Sequence, residues 1–218
     1  MNARKAARVL LSSVALVGAA SCLNVTGNDT ANAEIRIVNA AGQLLNIFVD
    51  DHLSIDGSVP PNVSLIVLPS GSRKLTARTA AGVDTDLILD LAPGGAVNTY
   101  AYTNASGAVV LALLDTPAAS TGNTGKVRAI NLSKLTGAID IYASAPGAGG
   151  TKLNATFDYL TLTPFLEQPS GSWEVYYTAS GSNTKVRSTG AFPVQPGDRR
   201  TVVLLDSASV PIFRILPN

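Results

Sequence analysis

The sequence predicts an all-β protein, two tandem β-sandwich domains behind an export signal, and three observations carry that reading. After residue 33, short apolar or alternating runs follow one another, separated by turns that 19 Gly and 12 Pro in 218 residues supply. The turn Pro-Ser-Gly-Ser occurs twice, at Pro69–Ser72 and Pro169–Ser172, each time followed by a β-like run, Leu75-Thr76-Ala77-Arg78 and Val175-Tyr176-Tyr177-Thr178. The segments around the two turns also match one another in the same order. The length suits one large domain or two of about 100 residues each.

Residues 1–21 read as a signal peptide. Arg4, Lys5 and Arg8 form a basic start, Val9 to Gly18 an apolar stretch, and Ala19-Ala20-Ser21 the small residues of a processing site. The apolar stretch is too short for a membrane-spanning helix, which needs about 20 such residues. The single cysteine, Cys22, follows directly and is the expected lipidation site; plain cleavage after Ala20 or Ala33, giving a soluble secreted protein, is the alternative. Stable anchoring takes more than one acyl chain, at about 0.8 kcal/mol per buried methylene. Residues 22–33 then form the lipidated end and a polar tether, whose eleven residues after the cysteine span at most roughly 35 Å.

The first repeat, 34–115, opens with Glu34-Ile35-Arg36-Ile37-Val38-Asn39, alternating as a half-buried strand does. Ala41-Gly42-Gln43 turns the chain, and Leu45, Ile47 and Val49 then share one face. Asp50 to Asn62 reads as a polar loop, and the dense run Ser64 to Leu68 as a strand buried on both faces. Further strands follow at Arg73 to Thr79, Asp86 to Leu91, Asn98 to Tyr102 and Val109 to Leu114, about seven in all. Expected core residues are Ile35, Ile37, Ile47, Val49, Leu65, Val67, Leu75, Leu87, Leu89, Leu111 and Leu113.

Residues 116–125 are a small-residue linker, and 126–218 repeat the first unit. Arg36 corresponds to Arg128, 92 positions on; Ile47 to Ile141, 94 on; Pro69 to Pro169, 100 on; Gly94 to Gly197, 103 on. The offset grows only across loops, as in a duplicated domain. The core expected here is Val127, Ile139, Ile141, Leu162, Trp173, Val175, Phe192, Val194, Val202, Leu204 and Ile212. Each sandwich is expected to be immunoglobulin-like or transthyretin-like in plan.

These segments resemble the bacterial family called "domain of unknown function 4397", often found in tandem in exported proteins. The resemblance rests on Arg36-Ile37-Val38-Asn39-Ala40 with Asn46-Ile47-Phe48-Val49-Asp50, and on Arg128-Ala129-Ile130-Asn131 with Ile139-Asp140-Ile141-Tyr142. It extends to the turns Leu68-Pro69-Ser70-Gly71-Ser72-Arg73 and Gln168-Pro169-Ser170-Gly171-Ser172-Trp173. The family's Ser-Pro-Asp-Ala-Pro loop is replaced by Ala40 to Leu44 and Leu132 to Leu135. The resemblance implies an exported all-β protein and brings no catalytic residues.

The chain offers little reactive chemistry. Its net charge of +1 argues against a nucleic-acid partner. The only histidine, His52, stands beside Asp50, Asp51 and Asp56, but the spacing lacks the glycine and terminal glutamate of a calcium loop, and zinc would need more nitrogen or sulfur ligands. A Ser–His–Asp site would lack its nucleophile elbow, and Glu34, Glu167 and Glu174 form no paired-carboxylate motif. Tyr100, Tyr102, Trp173 and Tyr176 read as sheet packing before a carbohydrate platform. The Asn-x-Ser/Thr sites at Asn24, Asn28, Asn62, Asn104, Asn131 and Asn154 are those expected by chance in this composition. Neither a cofactor nor a metal is expected. The reading is a membrane-anchored bacterial envelope lipoprotein facing the periplasm or cell surface, a non-catalytic binding or structural module for an envelope protein or polysaccharide. The loops Asp50 to Asn62 and Ser144 to Asn154 are its expected binding surfaces. The alternative is a secreted or envelope hydrolase with a site of unrecognised form.

Overall fold

The computed structural model describes residues 31–217; the expected signal peptide, Cys22 and most of the expected tether lie outside the described residues. The first repeat contains β1 (Asn32–Ala40), β2 (Leu45–Val49), β3 (His52–Ser58), β4 (Asn62–Pro69), β5 (Gly71–Thr79), β6 (Asp84–Leu91), β7 (Ala96–Thr103) and β8 (Val109–Leu114). They form sheet I, ordered β4-β1-β7-β8, and sheet II, ordered β3-β2-β5-β6. The β1–β7 pair is parallel and the other neighbours are antiparallel.

The second repeat contains β9 (Thr124–Asn131), β10 (Ile139–Ser144), β11 (Thr151–Asn154), β12 (Leu166–Pro169), β13 (Gly171–Ala179), β14 (Lys185–Ser188), β15 (Phe192–Val194), β16 (Arg199–Ser207) and β17 (Val210–Pro217). Sheet III runs β12-β9-β16-β17 and sheet IV runs β11-β10-β13-β14, with β15 on β13. The order is that of the first repeat, with β14 and β15 standing where β6 stands. In an immunoglobulin domain the first two strands pair in one sheet; here β1 and β2 lie in different sheets, so the plan is the transthyretin-like one.

The Pro-Ser-Gly-Ser turns are the corners of both sandwiches. A single residue, Ser70, separates β4 in sheet I from β5 in sheet II, and Ser170 does the same in the second repeat. Gly71 and Gly171 have φ of 123° and 152°, a region closed to other residues. A Cβ on either would meet nothing within 4 Å, so the requirement is conformational and not one of space. Both corners are tied in the same way. Ser70 donates its N–H to Ala31 O (3.3 Å) and Ser170 to Asn123 O (3.0 Å). Arg73 Nη2 and Trp173 Nε1 each donate to the carbonyl of the turn proline, at 3.0 and 2.8 Å.

Each repeat closes its own core. Ile35, Ile37, Leu45, Ile47, Leu75 and Leu89 fill the first, and Val127, Ile141, Phe157, Val175, Val202 and Leu204 the second. A third core joins them: Val38 and Leu114 from sheet I pack on Ile130, Leu132, Val203, Leu205 and Leu216 of the second repeat, with Tyr100 and Ile212 alongside. Sheets I and III therefore lie face to face in a stack ordered II, I, III, IV. This explains the unbroken burial of Thr201 to Leu205 in β16: alternate side chains enter different cores.

The linker is fastened to this stack. Arg128, 2% exposed, spreads over the Phe165 ring at 4.1 Å, donates to the Asp115 carboxylate (2.5 Å) and carbonyl (2.7 Å), and reaches Thr201 Oγ1 (3.0 Å). Arg199 and Lys126 donate to the carbonyls of Pro117 and Ala118.

Several expectations are corrected. Ser64 to Leu68 is not buried on both faces: β4 is a sheet edge, Ile66 and Leu68 turn inward, and Leu65 and Val67 are more than half exposed. Leu113 and Leu162 are also exposed, and Ile212 packs in the core between the repeats. The strands number eight and nine per repeat instead of seven, and β1 and β9 begin two residues before the expected boundaries.

Candidate functional site

The direction of the strands gives the stack two distinct ends. Arg36 and Asn98 of sheet I donate to Pro217 O, level with Arg200 and Val127, while Ala40 to Gly42 lie beside Lys134 and Asp206. β1 and β9 therefore run the same way. The chain enters at Ala31 beside the Pro-Ser-Gly-Ser corners at one end, and the β1–β2 and β9–β10 connections sit together at the other.

A buried asparagine shapes each of those connections. Asn39 Nδ2 donates to Gln43 O (3.1 Å) and Ser58 O (2.6 Å), and its Oδ1 accepts from Ala41 N (3.0 Å). Asn131 Nδ2 donates to Phe157 O (2.8 Å) and Thr136 Oγ1 (3.2 Å), and its Oδ1 accepts from Ser133 N (2.9 Å). A short amide satisfied on both sides at the end of a buried strand is a structural clamp.

The clamped segments wall two equivalent clefts at this far end. The first, about 400 Å³, is bounded by Gln43, Thr79, Val83 and Ser106 to Val109. The second, about 350 Å³, is bounded by Leu135 to Ile139, Tyr177, Ala179, Val186 and Pro211. Gln43 and Leu135, Thr79 and Ala179, and Val109 and Pro211 hold corresponding places. The second cleft is the more apolar, with Leu135 and Val186 largely exposed at its rim. A recess of about 60 Å³ between the clefts is bounded by Ala40 to Gly42, Pro60, Lys134 and Asp206. Asp206 is held there by Lys134 N (2.9 Å), Leu135 N (3.3 Å) and the Ser133 hydroxyl. No sequence motif marks the clefts, because the first gathers residues from three separate connections and the strands beside them, and the second from one connection and the strands around it.

The segments expected to bind ligand lie elsewhere. Asp50 to Asn62 is mostly strand β3, and Ser144 to Asn154 contains the last residue of β10 and all of β11. Asp50 and Asp51, with φ of 49° and 65°, make a two-residue hairpin turn at the chain-entry end. Asp50 accepts from Lys74 N (3.0 Å) and Arg73 Nη1 (3.0 Å); the Lys74 amide, followed by Arg73, holds its carboxyl below the usual range despite desolvation. Asp51 pairs with Lys74 Nζ at 2.5 Å, and His52 Nδ1 lies 2.7 Å from Asp50 O. Among the described residues, no group of three or more His, Cys, Asp or Glu side chains is placed to hold a metal ion.

The aromatics are packed against protein. Tyr142 and Tyr176 stack at 5.1 Å and 7° on the outer face of sheet IV, with Lys152 Nζ over one ring and Lys185 Nζ over the other, at 5.4 and 4.4 Å. A Cβ on Gly150 would come within 2.7 Å of the Tyr176 hydroxyl, so the backbone at Gly150 lies against this pair. Lys152 holds the Asp140 carboxyl down to about 2, helped by Thr156 N and Gly181 N. Lys185 and then Ser188 and Ser144 lower that of Glu174. Tyr100 stacks on Tyr102 at 5.5 Å and reaches the core between the repeats.

No family model matches the chain, and no curated protein matches it. Among solved structures it is similar to the Bacillus anthracis TIE protein, at 9% identity and a TM-score of 0.27 over 81% of this chain and 34% of that one. It is also similar to a product complex of the multi-modular glycogen-degrading pneumococcal virulence factor SpuA, at 11% identity and a TM-score of 0.26 over 84% of this chain and 22% of that one. The chain spans about a third and a fifth of their lengths, and neither likeness carries an argument.

Proposed function

We propose that the chain is an exported cell-envelope lipoprotein of the domain-of-unknown-function-4397 type, anchored through Cys22, whose paired sandwiches serve as a non-catalytic binding or structural module. The observation that carries the reading is the polarity of the stack. The chain enters at Ala31 at one end, and both clefts open at the other. β1 alone, with nine residues, sets the two ends roughly 30 Å apart. An anchor at Cys22 would thus present the clefts away from the membrane. The apolar lining of the second cleft suits the side chains of an envelope protein better than a polysaccharide. Among the described residues no helix is long and apolar enough to cross a membrane.

Metabolic labelling with a fatty-acid analogue tests the anchor: the wild type takes up label and fractionates with membranes, and Cys22→Ala does neither. Equal behaviour of the two would replace the anchored protein by a secreted one. Capture from envelope extract tests the binding role, with one partner retained by the wild type and lost on Leu135→Lys with Val186→Lys. Turnover of an ester, glycoside or peptide that disappears in His52→Ala would establish the hydrolase instead.

A further inference from the structure

Strand β4, whose one proline, Pro69, is its last residue, is the longer of two uncharged edges in a molecule that blunts its other edges. Its residues, Asn62-Val63-Ser64-Leu65-Ile66-Val67-Leu68-Pro69, include no charged side chain, and β1 is its only neighbour in sheet I. Among the described residues no backbone hydrogen bond reaches its free side. Leu65 and Val67, 55% and 54% exposed, stand on the outer face beyond the cover of sheet III. Uncharged, extended, apolar edges invite pairing with another strand, and proteins usually interrupt them with charge, proline, bulges or brevity.

The other edges carry such a device, β8 excepted. The counterpart of β4 in the second repeat, β12, has four residues, with Glu167 among them. β3 is bulged against β2 and carries His52 and Asp56; β6 carries Asp84, Asp86 and Asp90; β17 carries Pro211 and Arg214. β11 and β14 have four residues each, with lysines. β8 is uncharged but shorter, and Leu113 is its one largely exposed side chain.

We propose that β4 pairs antiparallel with β4 of a second copy of this chain, joining two copies of sheet I into one continuous sheet. The lack of charge leaves the segment complementary to itself, as pairing with a second copy requires. A twofold contact sets a segment against itself, so any charged residue near its centre would face its own kind. A register centred on Ile66 places Leu65 of each copy opposite Val67 of the other, so the exposed pairs close over one another. Head-to-tail pairing of β4 with β12 is opposed by the short length and Glu167 of the latter, so the assembly stops at a dimer.

The test uses the full chain in membranes. Leu65→Cys with Val67→Cys yields a reducible dimer, whereas Val186→Cys, at an equally exposed apolar site, and the wild type with its own Cys22 do not. In sedimentation analysis of the purified chain, Val67→Lys halves the particle mass of the wild type with an unchanged far-ultraviolet circular-dichroism spectrum. A monomeric wild type, cross-linking no stronger than at Val186, or a Val67→Lys chain that stays dimeric would overturn the proposal. So would a monomeric wild type that loses a different envelope partner on Val67→Lys, since that would give the edge to a foreign strand.

Discussion

Asn39 and Asn131 hold the same position in the two repeats, and each accepts from the amide two residues on and donates to a distant carbonyl; Thr76 and Tyr176 also correspond, and share nothing. Asn39 and Asn131 end strands whose neighbouring connections need an amide inside the fold. Thr76 and Tyr176 face outward from sheets II and IV. There the first repeat has built a charged lattice: Arg78 lies 4.5 Å over the Phe48 ring and grips Asp84 with two bonds of 2.6 and 2.8 Å, while Thr76 donates to Asp86. The second repeat has built the stacked tyrosines between lysines. The comparison separates what the sandwich requires, which is the corner glycines, the asparagine clamps and the inward apolar face, from what its outer faces leave open.

The largest effect is expected where the repeats meet. Val203→Asp puts an unpaired charge into the shared core and should cost about 4 kcal/mol. That lowers the melting temperature by about 10 °C and separates the unfolding of the two repeats. Asn39→Ala and Asn131→Ala should each cost about 2 kcal/mol, because each leaves buried backbone groups unpaired; equal shifts of the denaturant midpoint would show that the clamps are equivalent. Tyr176→Thr, which gives the second repeat the residue of the first, removes a ring pair worth about 1 kcal/mol and should be read by the same midpoint.

The smallest effect is one of pH. Asp140 stands where the first repeat has Asn46, which accepts from Gly57 N at 2.8 Å. The folded pKa of Asp140 is lowered to about 2 from 3.8, chiefly by Lys152. Its contribution is therefore complete above the unfolded value and is lost as pH falls through the folded one. Melting curves of Asp140→Asn and wild type should differ at neutral pH and converge between about pH 4 and pH 2. A difference that persisted at the lowest pH would place the contribution of Asp140 outside its charge.

The inward faces were readable because a strand buried on one side alternates, and Ile35, Ile37, Ile47, Leu75 and Leu89 all enter the first core. Runs without alternation were not. Ser64 to Leu68 and Val202 to Leu205 are similarly apolar, yet the first is an exposed edge and the second is buried on both sides, and only the partner sheet distinguishes them. Strand β3 was hidden because Asp50 and Asp51 make its turn without glycine, and the strand itself is too polar to announce burial. The clefts were invisible because their walls come from connections and strands far apart in the chain.

Two repeats, each with its own core, are fused through a third into one body. Scanning calorimetry of the chain is the decisive test. The shared core of Val38, Leu114, Ile130, Leu132, Val203, Leu205 and Leu216 predicts one transition, with a ratio of van't Hoff to calorimetric enthalpy of about one, and its division in Val203→Asp. Two independent transitions in the wild type, unchanged by Val203→Asp, would contradict it.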